Sequence, residues 1–251
     1  MRLIAYNAAN QALELTGSMK YALTDATGLS PAVSAVNLTK YATMDGSVLN
    51  SMSIESRNIV LTVYPLPPIE ANRIDLYKWF TPKSHVRLRY INGGRDMSID
   101  GYVESFEGTF FERTEVFEIS ILCPEPYFLS STPTTESGTY LEGIALTNGG
   151  DVECGFDLSV TISGDGTALE LSIGNNTFTV VKAFENGDIL TLCTRKGHKS
   201  VKLNGASILN AVESDSEWIQ IPVGSSTLTM SLTGSAMLDY TLSYTPMYAG
   251  G

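Results

Sequence analysis

The chain has 251 residues, 43% of them hydrophobic, and a formal net charge of −11. That length suits one large or two modest domains with real cores, and ten prolines and 22 glycines are too few for a disordered chain. The acid excess repels phosphates and anionic headgroups, so neither specific nucleic-acid binding nor membrane binding is expected.

No run of eighteen apolar residues is present to span a bilayer. The opening MRLIAYNAANQALEL lacks an apolar run and carries Glu14, so it does not read as a signal peptide. Residues 3–64 read as strands broken by loops, with candidates at Leu13–Leu15, Met19–Leu23 and Val48–Ile54. DATGLSPAVSAV reads as a loop because Gly28 and Pro31 break it. Arg57–Tyr64 sets Ile59, Leu61 and Val63 against Asn58, Val60 and Thr62, the period of a half-buried strand.

One helix follows. Pro68 suits a first turn, Glu70 favours the positive N-terminal end, and Ile69, Leu76 and Phe80 fall on one stripe. Pro82 stops it. Val86, Leu88 and Tyr90 then open a hairpin that turns at Asn92-Gly93-Gly94 and returns through Met97–Ile99. Tyr102–Phe106 leads to Phe117–Phe128, where Phe117, Ile119 and Ile121 face one side before Cys123-Pro124-Glu125-Pro126 ends the strand. Ser130–Gly138 reads as a linker of Ser, Thr, Pro and Gly.

The domains are therefore expected at 1–133 and 134–251, with net charges of −3 and −8. The second reads as all-β. Its strand candidates are Leu158–Ile162, Leu169–Ile173, Phe178–Val181, Ile189–Cys193, Val201–Leu203, Trp218–Ile221, Leu228–Leu232 and Leu238–Tyr244. Turn signals such as Gly164-Asp165-Gly166 and Asn186-Gly187-Asp188 separate them, which suggests a sandwich or jelly roll.

Catalytic patterns are thin. His85 and His198 have no second histidine at metal spacing, and there is no Gly-x-Ser-x-Gly elbow, phosphate loop or Cys-x-x-Cys. Cys123, Cys154 and Cys193 form an odd, widely spaced set that reads as reduced thiols. No catalytic, metal or cofactor residues are assigned, and Asp165-Gly166 and Asn186–Asp188 read as turns rather than calcium ligands. Trp218 is the sole indole of the second domain, and its alternation with Gln220 leaves its face undecided. An exposed Trp218 beside polar side chains in a cleft would favour a sugar site. A core tryptophan is the simpler reading.

Five stretches carry a resemblance: Arg57-Asn58-Ile59, Leu76–Lys83, Leu88-Arg89-Tyr90, Gly93–Gly101, and Cys123–Phe128 with Glu125 where Asp is frequent. Asn186-Gly187-Asp188, Leu190–Thr194, Val201–Gly205, Ser216–Trp218, Val223-Gly224 and Tyr244–Tyr248 with Gly250 extend it. In this order and spacing they resemble the distal tail protein family of long non-contractile-tailed bacteriophages. The resemblance implies a mainly β fold: an N-terminal β-sandwich with one short α-helix, and a C-terminal galectin-like sandwich. It implies a structural virion protein rather than an enzyme. Such a protein forms a homo-hexameric ring between the tail tube and the tail-tip hub (a tail-associated lysin-like protein), and receptor-binding proteins dock on it.

DNA passes such a lumen without specific binding. The resemblance places the protein at the virion tail tip after synthesis in the host bacterial cytoplasm. The alternative is a glycan-binding module of an adhesion device, although the second domain is expected to bind protein rather than sugar because no aromatic pair is evident. Charge alternation adds a guess about the ring interface: Arg87 and Arg89 of one copy facing Glu104, Glu107 or Glu112 of the next.

Overall fold

The computed structural model describes residues 1–43, 45–109 and 115–251, with the side chain of Ser235 excepted. Its contacts divide the chain into two units, Met1–Ser131 with Tyr248–Gly251, and Thr132–Met247. The sequence division at Pro133 left residues 248–251 with the second domain; the contacts group them with the first.

The first unit contains β1 (Arg2–Asn7), β2 (Ala12–Glu14), β3 (Tyr21–Thr27), β4 (Ser34–Thr39), β5 (Val48–Ile54) and β6 (Arg57–Pro65). Helix α1 (Ile69–Trp79) follows, then β7 (His85–Asn92), β8 (Arg95–Gly108), β9 (Phe117–Cys123) and β10 (Phe128–Ser130). Seven strands form an antiparallel sheet in the order β2-β1-β7-β8-β9-β6-β3, with β10 on β8. Alternation explains the middle of this sheet. Ile59, Leu61 and Val63 of β6 lie opposite Ile121, Ile119 and Phe117 of β9, and all six are buried. At Gly101 of β8, a Cβ would come within 2.7 Å of Ile121 and 2.8 Å of the Cys123 sulfur, so glycine lets β9 pack close.

α1 covers this core with Leu76, and Phe80 at its end is fully buried beside it. Pro68 sits at the N-cap, one residue before the first turn. Asn72 takes a place on the buried face, where its Nδ2 donates to the Leu66 carbonyl at 2.8 Å. Tyr21 donates to Asp75 at 2.9 Å and ties β3 to the helix.

The loop expected across DATGLSPAVSAV instead holds the end of β3 and the start of β4. Among the described residues β4 and β5 pair only with each other and form a separate two-stranded sheet.

The second unit contains β11 (Thr134–Thr139), β12 (Ile144–Asn148), β13 (Phe156–Ile173), β14 (Asn176–Phe184), β15 (Asp188–Cys193), β16 (Ser200–Leu203), β17 (Ala206–Ser207) and β18 (Gly224–Tyr244). The long strands β13 and β18 pair along their length. β15 flanks the first half of β13 and β14 the second. Phe178 and Val180 from β14 share one hydrophobic cluster with Leu190 and Leu192 from β15, so both halves close on a single core.

Three expectations need correction here. Ser130–Gly138 is not all linker: Thr134–Thr139 forms β11 and pairs with β18. Threonine suits a pleated strand, and an edge strand that buries almost nothing shows no alternation.

Gly164-Asp165-Gly166 is not a turn but lies inside β13. Gly166 pairs with Gly234 and Ala168 with Thr233, so Thr167 is an extra residue, a β-bulge. The bulge switches the buried set from Phe156, Leu158, Val160 and Ile162 to Leu169, Leu171 and Ile173 while the same face stays inward. At Gly234, φ is +152° and a Cβ would meet the Asp165 carbonyl at 2.3 Å.

Trp218–Ile221 is not a strand either; it forms no ladder, and Ile221 bridges Cys154.

Candidate functional site

Among the described residues no group of His, Cys, Asp or Glu is arranged to hold a metal. Interaction surfaces, and the groups that rigidify them, are what the molecule presents. The first surface is the β4–β5 hairpin. Cross-strand partners share a face, and Val36 lies opposite Met52, Leu38 opposite Leu49, and Ser34 opposite Ile54. Between Asn37 and Leu38 the register shifts and Asn50 is skipped, which brings Leu49 onto the Met52 side. Val36, Leu38, Leu49, Met52 and Ile54 therefore form one apolar face, and all five are exposed, Met52 by 64%. The opposite face carries Ala35, Asn37, Ser51 and Ser53. An amphipathic ribbon normally hides its apolar face.

A second feature is the buried guanidinium of Arg57, which is only 3% exposed. It lies on the same side of β6 as Ile59 and Leu61, where alternation calls for an apolar residue. Among the described residues no carboxylate answers it. Nε donates to the Pro126 carbonyl at 2.8 Å, Nη1 to the carbonyls of Gly28 and Ser30 at 2.7 and 2.6 Å, and Nη2 to that of Ala249 at 2.5 Å. The ring of Phe128 stacks on it at 4.7 Å. Burial pulls this guanidinium below its ordinary pKa.

Gly28 has φ +80°, and a Cβ there would meet the Asn58 carbonyl at 2.0 Å, so this loop can approach Arg57 only as glycine. Arg95 fixes the same segment from another side, donating to the Gly250 carbonyl at 3.0 Å and stacking on Tyr248 at 4.6 Å.

The residues guessed from charge alternation are placed as follows. Arg87 makes a bidentate pair with Asp100, at 2.9 and 3.0 Å, and His85 Nε2 lies 3.1 Å from the same carboxylate. Arg89 makes a bidentate pair with Asp96, whose carboxylate also accepts from Ser131 at 2.7 Å. Asp100 raises the pKa of Arg87, and the hydrogen bond from Arg89 holds the Asp96 carboxyl below its usual range. Both arginines are thus matched on the neighbouring strand of their own chain.

Glu104 accepts from Ser120 at 2.9 Å. Glu107 is exposed and stands directly opposite Glu118, like charge against like. Glu112 lies outside the described residues. Within one chain Arg87 and Arg89 pair with Asp100 and Asp96 rather than with Glu104 or Glu107.

In the second unit, Trp218 is half-buried against Phe178, ring centres 5.0 Å apart, with the exposed Lys199 ammonium 5.4 Å from its ring. It lines an open cleft of about 640 Å³ together with Pro222 and polar side chains from three neighbouring segments. Gln220 beside it is anchored: its Nε2 donates to the carbonyls of Thr194, Ile219 and Trp218 at 3.0, 3.1 and 3.3 Å.

The three cysteines are free. Cys123 and Cys154 are buried and their thiols pushed up to about 11 by desolvation, while Cys193 is half-exposed.

Sequence reasoning missed two of these features. Arg57 stood in a motif without a role, and its signal was a charge on the apolar phase of a strand. The hairpin's apolar face was hidden because the Asn50 bulge breaks the alternation.

Comparison with known proteins follows from this geometry. Residues 149–248 match the family model described as siphovirus-type tail component, C-terminal domain. No curated protein matches the chain. Among solved structures, the chain is similar to the Dit protein (gp 19.1) of phage SPP1, described as a paradigm of the hub adsorption apparatus in phages infecting Gram-positive bacteria. The two are 15% identical, with 98% of each chain covered and a TM-score of 0.75. A looser likeness reaches the phage P2 baseplate in its activated conformation with calcium, 11% identical over 96% of this chain and 97% of that one, with a TM-score of 0.42. The family match covers residues 149–248, and the likeness to the SPP1 protein shows a shared fold over both units.

Proposed function

We propose that this chain, with a siphovirus-type tail domain at 149–248 and the Dit fold throughout, closes as a hexameric ring at the distal end of a phage tail. The ring joins the tail tube to the tail-tip hub and carries receptor-binding proteins on its second units. The observation that carries this reading is the β4–β5 hairpin. A two-stranded ribbon is marginal alone in water. An exposed apolar face on such a ribbon marks an interaction surface, and a ring supplies the occupant, because each copy meets its neighbour through two different patches. The hairpin of one copy then lies on the body of the next. This replaces the arginine strand as the interface, since Arg87 and Arg89 are matched by Asp100 and Asp96 of their own chain.

The acid excess suits a lumen through which DNA slides without sticking. Made in the host cytoplasm, the protein ends at the virion tail tip.

Light scattering on the purified chain tests the ring. The expected mass is six times 27.1 kDa, and Leu49→Asp with Met52→Asp is expected to reduce it to 27.1 kDa with an unchanged far-UV spectrum. A wild-type monomer at every accessible concentration overturns the ring. An intact hexamer in the double variant overturns the hairpin's role.

A further inference from the structure

We infer that the cleft beside Trp218 is a binding site for a neutral oligosaccharide. This goes beyond the ring reading, because the cleft lies wholly within the second unit and needs no neighbouring copy. Its size of about 640 Å³ lies in the range of small-ligand sites. The wall combines an indole and Pro222 with the side chains of Glu153, Asn176, Ser226 and Thr227. A pyranose ring matches that mixture, with C–H faces for the indole and a rim of hydroxyls for carboxylate, amide and hydroxyl groups.

The polar groups are unspent. Glu153, Asn176 and Thr227 make no side-chain hydrogen bond or ion pair among the described residues. Ser226 Oγ is buried with no hydrogen-bond partner. A buried hydroxyl without a partner is uncommon. Gln220 is held by its Nε2, which fixes its Oε1 as a further acceptor at the wall.

The same wall argues against other ligands. The unpaired carboxylate of Glu153, in a chain of net charge −11, disfavours anions. The hydroxyls and amides disfavour an apolar peptide, which would leave them unpaired. Lys199, 5.4 Å from the indole, is not part of the cleft wall, so a ligand in the cleft need not displace it.

The test is fluorescence titration and calorimetry of the full chain with chitotetraose, cellotetraose and maltotetraose in turn. Saturable binding of at least one is expected. Glu153→Gln and Trp218→Phe are each expected to weaken it tenfold or more. Glu153 is exposed and free of partners, so its variant folds, and light scattering shows whether the oligomer mass is unchanged. No saturable signal with any of the three sugars overturns the inference. So does binding that both variants leave intact, because the sugar then sits elsewhere. A wild-type chain that is monomeric at every accessible concentration yet binds sugar would overturn the ring and leave the cleft standing.

Discussion

Arg57 Nη2 donates to the backbone carbonyl of Ala249, 192 residues further along the chain, at 2.5 Å. Every acceptor of this buried guanidinium is a main-chain oxygen, so Arg57 fastens three separate loops to β6 at once. Replacing it with methionine keeps some apolar bulk but leaves four carbonyls without their donor. Arg57→Met is expected to destabilise the first unit by about 3–5 kcal/mol. Arg57→Lys should recover only part, since an ammonium cannot reproduce the planar fork. Urea unfolding of the full chain measures both. A loss below about 1 kcal/mol for Arg57→Met would show that solvent replaces the carbonyls.

Tyr248–Gly251 supply acceptors to Arg57 and Arg95 and a stacking surface for Arg95. A chain stopped at Met247 is therefore expected to unfold the first unit at lower denaturant than the full chain, while the second unit keeps its midpoint. A chain ending at Thr132 shares the defect, so its failure to form hexamers would reflect lost stability before it reflected a lost interface. Calorimetry that resolves the two units checks this. An unchanged first transition would sink it.

Limited proteolysis should cut first within residues 131–133. The expected linker was broader, but β11 takes Thr134–Thr139 into the sheet through backbone bonds to β18. Mass spectrometry of the first fragments locates the cut. Primary cleavage between Thr134 and Thr139 would mean that β11 frays in solution.

All three thiols should titrate once the chain is denatured. In the native state Cys193 should react first, with Cys123 and Cys154 protected by burial and by thiols pushed up to about 11. A denatured count of one would reveal a disulfide.

Asp96 gives a pH signature. Arg89 lowers its folded pKa below the ordinary 3.8, so the unfolded carboxyl takes up its proton at higher pH than the folded one. The stabilisation is therefore complete above the unfolded value and fades as pH falls through the folded value. The pair is more than one-third exposed, so Asp96→Asn should cost at most about 1 kcal/mol at neutral pH. The variant should lose part of the wild type's sensitivity to acid. Parallel pH–stability curves for variant and wild type would show that Asp96 contributes nothing.

Much of the fold was legible because burial on one face writes a period into the sequence. Ile59, Leu61 and Val63 announced β6, and Phe117, Ile119 and Ile121 announced β9, since each strand has one side in the core. α1 was legible from its proline stop and its Leu76–Phe80 stripe. What was not legible lacks that period. β11 buries almost nothing, so Thr134–Thr139 looked like linker. Thr167 reverses the phase of β13, and the two glycines beside it imitate a turn. Arg57 carries a charge into the core, a placement decided by carbonyls that come from distant loops. The Trp218 cleft gathers residues from 153 to 227, and no local spacing records that meeting.

The interleaving of the two units has a consequence for synthesis. Ala249 is translated after the whole of residues 132–247, so Arg57 waits for its fourth acceptor until 192 further residues have been added. At about 5–20 residues per second that wait lasts roughly 10–40 s. Throughout that wait the first unit is unfinished, although nearly all of it is made first. The first unit closes no earlier than the end of translation, and a chain stopped at Met247 would carry every residue of the second unit beside a first unit still open around its buried guanidinium.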